Sequence, residues 1–208
     1  MRTLLTALTA LMLFATPVVA WDWEEGGAAY YWWEEGVAAY YWGDYQKAFR
    51  LWEPLAKRGH AKAQSNLGVM YSNGKGVTKD DAKAVYWYRK AAQHGDAAAQ
   101  YNLGSMYNEG KSVPEDDAKA VRWYRRAAEQ GYEKAQHNLG WSYATGRGVP
   151  KNKVKAYAWW SISAKQGRKI AKRNKGIVKK RMTPAQIAEA QKLSSEYWEK
   201  YVVPFQTD

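Results

Sequence analysis

AKAQSNLGVMYSNGKGV at residues 61–77 is written again as AAAQYNLGSMYNEGKSV at 97–113 and as EKAQHNLGWSYATGRGV at 133–149, so Leu67, Leu103 and Leu139 recur 36 residues apart. Self-similarity at a period of roughly 20 to 50 residues means that one supersecondary unit is stacked on copies of itself. Fold, core and surface can then be read modulo the period. Such an array also argues against an enzyme.

Residues 61–73 and 80–94 both place apolar side chains at helical spacing, separated by a glycine-rich turn, which predicts two antiparallel helices per unit. In the first helix Ala63, Leu67 and Tyr71 recur at i, i+4 and i+8, matched by Ala99, Leu103, Tyr107 and by Ala135, Leu139, Tyr143. That stripe faces the partner helix, with Leu103 in the core. Gly68, Gly104 and Gly140 lie inside the same helix, where glycine costs about 1 kcal/mol relative to alanine, so close approach of the neighbouring helix backbone is expected there. Gly74, Gly110 and Gly146 stop the first helix, because the residue past a helix end often adopts the left-handed conformation. Asp80, Asp116 and Asn152 then stand where a short acceptor side chain caps the second helix. That helix repeats Trp87, Trp123 and Trp159, expected as core aromatics, and ends at Gly95, Gly131 and Gly167. Helices of about 12 to 15 residues are marginal alone in water, so they depend on burial against their neighbours.

The periodicity runs past the three full units. Lys47-Ala48 aligns with Lys83-Ala84 and Gly59 with Gly95, which makes residues 43–59 the second helix of a leading unit. Residues 168–180 take the register of a further first helix, and Thr183-Pro184-Ala185-Gln186 opens a last helix with a capping box and a proline at its first position. That last helix, to about Lys200, is expected to close the stack. The domain plan is a leader at 1–20, an aromatic-rich segment with the first helix at 21–42, and the second helix of the leading unit at 43–59. Repeats follow at 60–95, 96–131 and 132–167, then a basic helix with a capping helix at 168–201 and a tail at 202–208.

The leader, MRTLLTALTALMLFATPVVA, has a basic Arg2, an apolar run from Leu4 to Phe14, a breaker at Pro17 and small residues up to Ala20, the pattern of a secretory signal peptide. The run is too short to span a bilayer, which needs about 20 apolar residues, although a retained anchor is the alternative. With no cysteine anywhere, neither a structural disulfide nor a thiol for a lipid anchor exists. The mature chain is therefore expected to begin after Ala20, exported and either periplasmic or secreted, with no transmembrane segment.

The pattern A-x-A-Q-x-N-L-G-x-x-Y, a turn with G-x-G-V, then D-x-x-K-A-x-x-W-Y-x-K-A-A-x-x-G resembles the Sel-1-like repeat, a 36-residue relative of the tetratricopeptide repeat. The likeness covers residues 43–167, and the closing MTPAQIAEAQKLSSEYW resembles the tail of exported bacterial members. The resemblance implies an all-α fold, an α/α solenoid of antiparallel helix pairs in a right-handed superhelix, acting as an adaptor or scaffold. Some exported relatives are cysteine-rich and have been linked to penicillin binding or weak β-lactamase activity. This chain lacks their cysteines, and a hydrolytic, peptidoglycan-related activity is the least favoured reading.

One departure from the repeat is WEEGGAAYYW at 23–32 followed at once by WEEGVAAYYW at 33–42. Five of the twelve tryptophans, at 21, 23, 32, 33 and 42, fall here, giving a helical cap or, alternatively, an aromatic ligand platform.

Motifs with chemical meaning mostly dissolve. Gly110-Lys111-Ser112 resembles a phosphate loop, but Ser105 stands where its upstream glycine is needed and no strand precedes it. Ser72-x-x-Lys75 fits a serine β-lactamase spacing without the partner motifs. His60, His94 and His137 are not at metal-ligand spacing, so neither a metal nor another cofactor is expected. Asp80-Asp81 and Asp116-Asp117 recur at one repeat position, which favours capping over paired catalytic carboxylates.

Two candidate binding surfaces remain. In the related tetratricopeptide array the groove is lined from the first helices, at positions that map here to Lys62, Ser65, Val69 and Asn73, to Tyr101, Ser105 and Asn108, and to Lys134, His137 and Trp141. These residues vary while the scaffold repeats, as a partner-binding face does and as neutral surface drift also does. Tyr101, His137 and Trp141 supply the large anchors for a protein or peptide partner. Separately, residues 151–181 hold twelve basic residues and no acidic one, which accounts for the whole net charge of +12. Arg168, Lys169, Lys172, Arg173, Lys175, Lys179, Lys180 and Arg181 bracket an apolar stripe of Ile170, Asn174, Ile177 and Val178, a basic amphipathic helix. Its partner would be acidic: a protein, an anionic envelope polymer or a lipid surface. A merely solvated helix face is the plainer alternative, and nucleic acid does not suit an exported protein.

Overall fold

The computed structural model describes residues 27–206, and among them α-helices and one 3₁₀ turn occur with no strand. The segment expected to be a signal peptide and the start of the aromatic-rich segment lie outside these residues. In chain order the helices are α1 (Gly27–Tyr41), α2 (Tyr45–Lys57), α3 (Ala61–Asn73), α4 (Asp81–Gln93) and α5 (Ala97–Glu109). They continue with α6 (Asp117–Glu129), α7 (Glu133–Thr145), α8 (Lys153–Lys165), α9 (Lys169–Lys179) and α10 (Pro184–Tyr201), before a turn at Val203–Phe205. Each odd helix from α1 to α7 packs on the helix that follows it, and each even helix then packs on the first helix of the next unit, an all-α repeat solenoid. First helices α3 and α5 also touch directly, and the odd helices α1 to α9 make up the first-helix layer of the stack, the even helices to α8 its second-helix layer.

Local chemistry sets the helix limits. Gly74, Gly110 and Gly146 end the first helices with φ of 68°, 64° and 86°, and their amides bond back to the last turn. The side chains of Asp80, Asp116 and Asn152 accept from the amides of Lys83, Lys119 and Lys155 at 2.9, 2.8 and 2.9 Å. Those amide bonds hold the Asp80 and Asp116 carboxyls below the usual carboxylate range.

Within each pair the glycine inside the first helix is covered by an aromatic ring, not by backbone as the sequence suggests. A Cβ at Gly36, Gly68, Gly104 or Gly140 would lie 2.3, 2.4, 2.8 or 2.7 Å from the ring of Trp52, Tyr88, Tyr124 or Trp160 respectively. Those four rings are buried, whereas Trp87 and Trp123, expected in the core, are only half-buried. Neighbouring positions on a helix are about 100° apart, so the residue after each tryptophan takes the seat. Trp159 is buried as well, for a different reason: α10 leaves α9, doubles back and packs on α8. Its Tyr197 and Tyr201 rings lie 4.4 and 5.6 Å from the Trp159 ring. The last helix therefore covers the outer face of the second-helix layer and does not pair with α9 to extend the stack. Gly176 of α9, in register with Gly140, accordingly meets nothing within 4 Å.

Buried glutamines tie successive units together. Gln64, Gln100 and Gln136 donate through Nε2 to the carbonyls of Ala56, Ala92 and Ala128 at 2.9, 3.2 and 3.2 Å, at the end of the preceding helix, where the same carbonyls also accept from the amides of Gly59, Gly95 and Gly131. Their Oε1 atoms need donors in turn. Gln130 supplies one to Gln100 at 2.8 Å and Gln166 one to Gln136 at 2.7 Å. At the equivalent position of the first full repeat stands His94, and Oε1 of the buried Gln64 has no partner.

Three outcomes are expected in chemical denaturation. Gly68→Ala destabilises by about 1 to 3 kcal/mol, because displacing the Tyr88 ring outweighs the helix-propensity gain. Gly176→Ala, with open space around it, stabilises by about 0.5 to 1 kcal/mol, and equal effects at the two sites would refute the ring-seat account. His94→Gln completes the missing link to Gln64 and raises stability by about 1 kcal/mol; an unchanged or lower midpoint would show that the chain of glutamines is incidental.

Candidate partner-binding face

The layer of odd helices carries two cavities, one at each end. The larger, about 420 Å³, is formed by α1, α3 and the start of α5. Trp33, Tyr40 and Tyr41 of α1 make one wall, Lys62 and Val69 of α3 another, and Trp52 and Ser65 lie at the bottom. Several contacts fix α1 in place. The indole N–H of Trp52 donates to the Trp33 carbonyl at 3.4 Å, and Glu35 pairs with Lys47. Tyr40 packs edge-on against Tyr45 at 5.1 Å between centroids, and the Lys75 ammonium lies 4.9 and 4.8 Å from these two rings. The aromatic α1 was legible as a cap or platform but not as a wall of the groove. The signal that marks it is the second WEEG-x-AAYYW copy, whose glycine, Gly36, takes the ring-seat position.

The ten groove residues meet different fates. Lys62, Asn73 and Lys134 are exposed; Val69, Tyr101, Ser105 and Trp141 are half-buried on the same layer. Tyr101 packs on Tyr124 and Tyr132 at 5.8 and 5.4 Å, an anchor braced by the core. Two depart from the expectation. Asn108 turns to its own second helix and donates to Asp117 at 3.3 Å, since it stands one residue off the register of Asn73. His137 is buried beneath α9 and is not a surface anchor, while Ser65 lies at the floor of the cavity.

The second cavity, about 250 Å³, lies between α7 and α9. Trp141 and Ala144 of α7, Trp160 of α8, and Ile177 and Val178 of α9 line it with apolar surface, and Lys151 and Arg181 stand at its edge. The expected apolar stripe of α9 is divided: Ala171 and Val178 are buried against α8, while Ile170 and Ile177 remain 50% and 46% exposed. Of the eight cations on this segment Arg168 and Lys175 are half-buried, with the Lys175 ammonium 5.6 Å from the Tyr157 ring centre, and the other six are exposed. Among the described residues none of the eight forms an ion pair. No described helix is long and apolar enough to cross a membrane.

Comparison with known proteins agrees with this geometry. The family model for the Sel1 repeat matches residues 27–60, 61–96, 97–132 and 133–167. A Sel1 repeat protein from Oxalobacter formigenes is similar in structure, with 34% identity and a TM-score of 0.66 over 70% of this chain and 60% of that one. The protein c5321, a protective antigen present in uropathogenic Escherichia coli strains and displaying an SLR fold, is 29% identical with a TM-score of 0.62. That match covers 88% of this chain and 48% of c5321, so the chain spans only about half to three-fifths of these two relatives. The MamA protein, 20% identical with a TM-score of 0.51 over 84% of this chain and 92% of its own, shares the fold alone. No curated protein matches the sequence.

Two histidines in this layer have their pKa lowered by their surroundings. The His137 ring has Asn138 Oδ1 at 3.2 Å from Nδ1 and Asn174 Nδ2 at 3.1 Å from Nε2, an arrangement that suits the Nδ1–H tautomer. Burial lowers its pKa, and the nearby Arg168 charge adds to this against the Asn138 bond. His60 caps α3 by accepting the Ala63 amide at Nδ1, 3.1 Å away, and burial followed by the Lys62 charge lowers its pKa too. With the folded pKa depressed, the unfolded chain binds more protons just below the ordinary histidine value, so stability falls as the pH drops through that range. Acidification from about pH 7.5 to about pH 5.5 is expected to lower the denaturation midpoint, and His60→Asn with His137→Gln to remove most of that drop. A pH dependence identical in the double variant would assign it to other groups.

Proposed function

The chain belongs to the Sel1 repeat family, and from that premise we propose that it is a non-catalytic, exported scaffold holding a protein or peptide partner along its first-helix face. Sel1 repeat proteins are typically interaction scaffolds, and the fold is generally non-catalytic. The observation that carries the proposal is the aromatic-walled cavity at the amino-terminal end. It is built jointly by three successive first helices, so only the stacked array creates it. Its mix of aromatic wall, Lys62 and Asp96 is the composition of a protein-recognition surface, where buried aromatics anchor and polar groups orient. Export rests on the leader at 1–20, whose charge, apolar run and small-residue end are those of a signal peptide.

A second reading has its own support. Unpaired cations on α9 suit an anionic envelope polymer or lipid surface, where each nearby Lys or Arg contributes about 1 kcal/mol. Such binding would collapse at high ionic strength, because exposed charges are screened over about 8 Å under physiological conditions.

Immobilised protein is expected to retain a specific species from the envelope fraction of its source cell, and Tyr41→Ala with Tyr101→Ala to reduce that capture about tenfold at unchanged helical circular dichroism. Undiminished capture by the double variant would remove the groove from the account.

A further inference from the structure

The cleft between α7 and α9 exists because the array stops irregularly. In the preceding units a first helix is covered by its own second helix, but α10 lies on α8, and α9 keeps an open flank. Two consequences show at the surface. Gly176 has no ring above it, and Ile177 is 46% exposed beside the half-buried Trp141. At about 250 Å³ the cleft falls below the roughly 300 to 1,000 Å³ of a pocket for a whole small molecule, which suits a single side chain. Its floor is apolar, supplied by Trp141, Trp160, Ile177 and Val178.

The rim is cationic and nothing among the described residues neutralises it. Lys151 and Arg181 make no ion pair among the described residues, and residues 151–181 contain no carboxylate. Lys153 is partly spent, donating to the Arg181 carbonyl at 2.9 Å, which ties the start of α8 to the end of α9 and holds the rim in place. An occupant must bring both the apolar group and the negative charge. A lipid headgroup surface would need only the exposed cations Lys172, Arg173, Lys179 and Lys180 and would leave the tryptophan-floored cleft unused.

We infer that this cleft takes one large apolar side chain of a partner segment whose flanking residues are acidic. The inference rests on the reading of the first-helix face as a partner-binding surface, and places its carboxyl-terminal contact. It also gives the basic segment and Trp141 a common role, with the cations drawing in and orienting an acidic chain and the cleft fixing its register.

The test uses the full mature chain and a fluorescein-labelled peptide with a central leucine between pairs of glutamates, read by fluorescence polarisation. Saturable binding is expected, with about tenfold weakening when alanine replaces the leucine or glutamines replace the glutamates. Ile177→Ser and Arg181→Gln, both at exposed positions, are each expected to weaken binding about fivefold or more with helical circular dichroism unchanged. No saturable binding, equal binding of the alanine peptide, or an unaffected Ile177→Ser variant would overturn the inference. So would phosphatidylglycerol vesicles bound equally by parent and Ile177→Ser while the peptide is ignored, an outcome that assigns the cations to a lipid surface. Because Tyr41 and Tyr101 lie outside this cleft, loss of partner capture on their substitution together with failure of the peptide would leave the scaffold reading standing and this one alone refuted.

Discussion

A ring seated on a glycine is the contact on which the rest of the molecule depends. Removing one Cβ from the middle of each first helix opens a slot that a second-helix ring fills at Gly36, Gly68, Gly104 and Gly140. The glycine costs helix propensity, but the buried ring returns more through apolar burial. The slot also fixes the rotation of both helices, because a ring fits it from one direction only. End units place tryptophan there, and its N–H finds a first-helix carbonyl three residues before the glycine, Trp33 for Trp52 and His137 for Trp160. An inner unit places tyrosine instead, and the Tyr124 hydroxyl donates to Ser105 at 3.3 Å. The same seats reach into the two candidate sites, since Trp52 lines the amino-terminal cavity and Trp160 the carboxyl-terminal one.

Coupling between units rests on polar contacts that each repeat makes with the one before it. The glutamine links join a first helix to the preceding second helix and to the one that follows. On the turns, Arg147 reaches back to Glu115 and Asp117, both at 2.8 Å, and Gly148 lies against the Asp117 backbone, as Gly76 does against that of Tyr45. Ser112 occupies the same turn position with φ of 52°, a left-handed conformation that serine adopts at a cost its glycine counterparts avoid. Stability in such an array is close to a sum of unit and neighbour terms, so the weak points are the first glutamine link and the turn at Ser112.

How much of this was legible follows from how local each signal is. Helix stops at Gly74, Gly110 and Gly146 and caps at Asp80, Asp116 and Asn152 are decided within a few residues, and the period repeats them three times. Repetition does not say which of two adjacent aromatics turns inward, so Trp87 and Trp123 were placed where Tyr88 and Tyr124 sit. Asn108 was misplaced by one residue for a similar reason, since a single step moves a side chain about 100° round the helix. The burial of His137 and the path of α10 depend on contacts between distant segments, His137 with Asn174 and Trp159 with Tyr197, and no pattern in either segment alone encodes them.

Both cavities stand where the period breaks, which is a physical consequence and not a coincidence of position. Inside the array each first helix is confined between its own second helix and that of the preceding unit, and Tyr101 there is packed against Tyr124 and Tyr132. At the amino-terminal end the glycine-to-ring spacing is 16 residues instead of 20, because the leading unit lacks the long turn, and α1 brings its own aromatics to the wall. At the other end α9 has lost its covering helix to α8. The repeats therefore supply a self-similar frame, and the two irregular ends supply the cavities of its first-helix side, one aromatic and near neutral, the other apolar with a cationic rim. A segment lying along the face between them would meet different chemistry at each end, which gives the array a direction that its internal symmetry lacks.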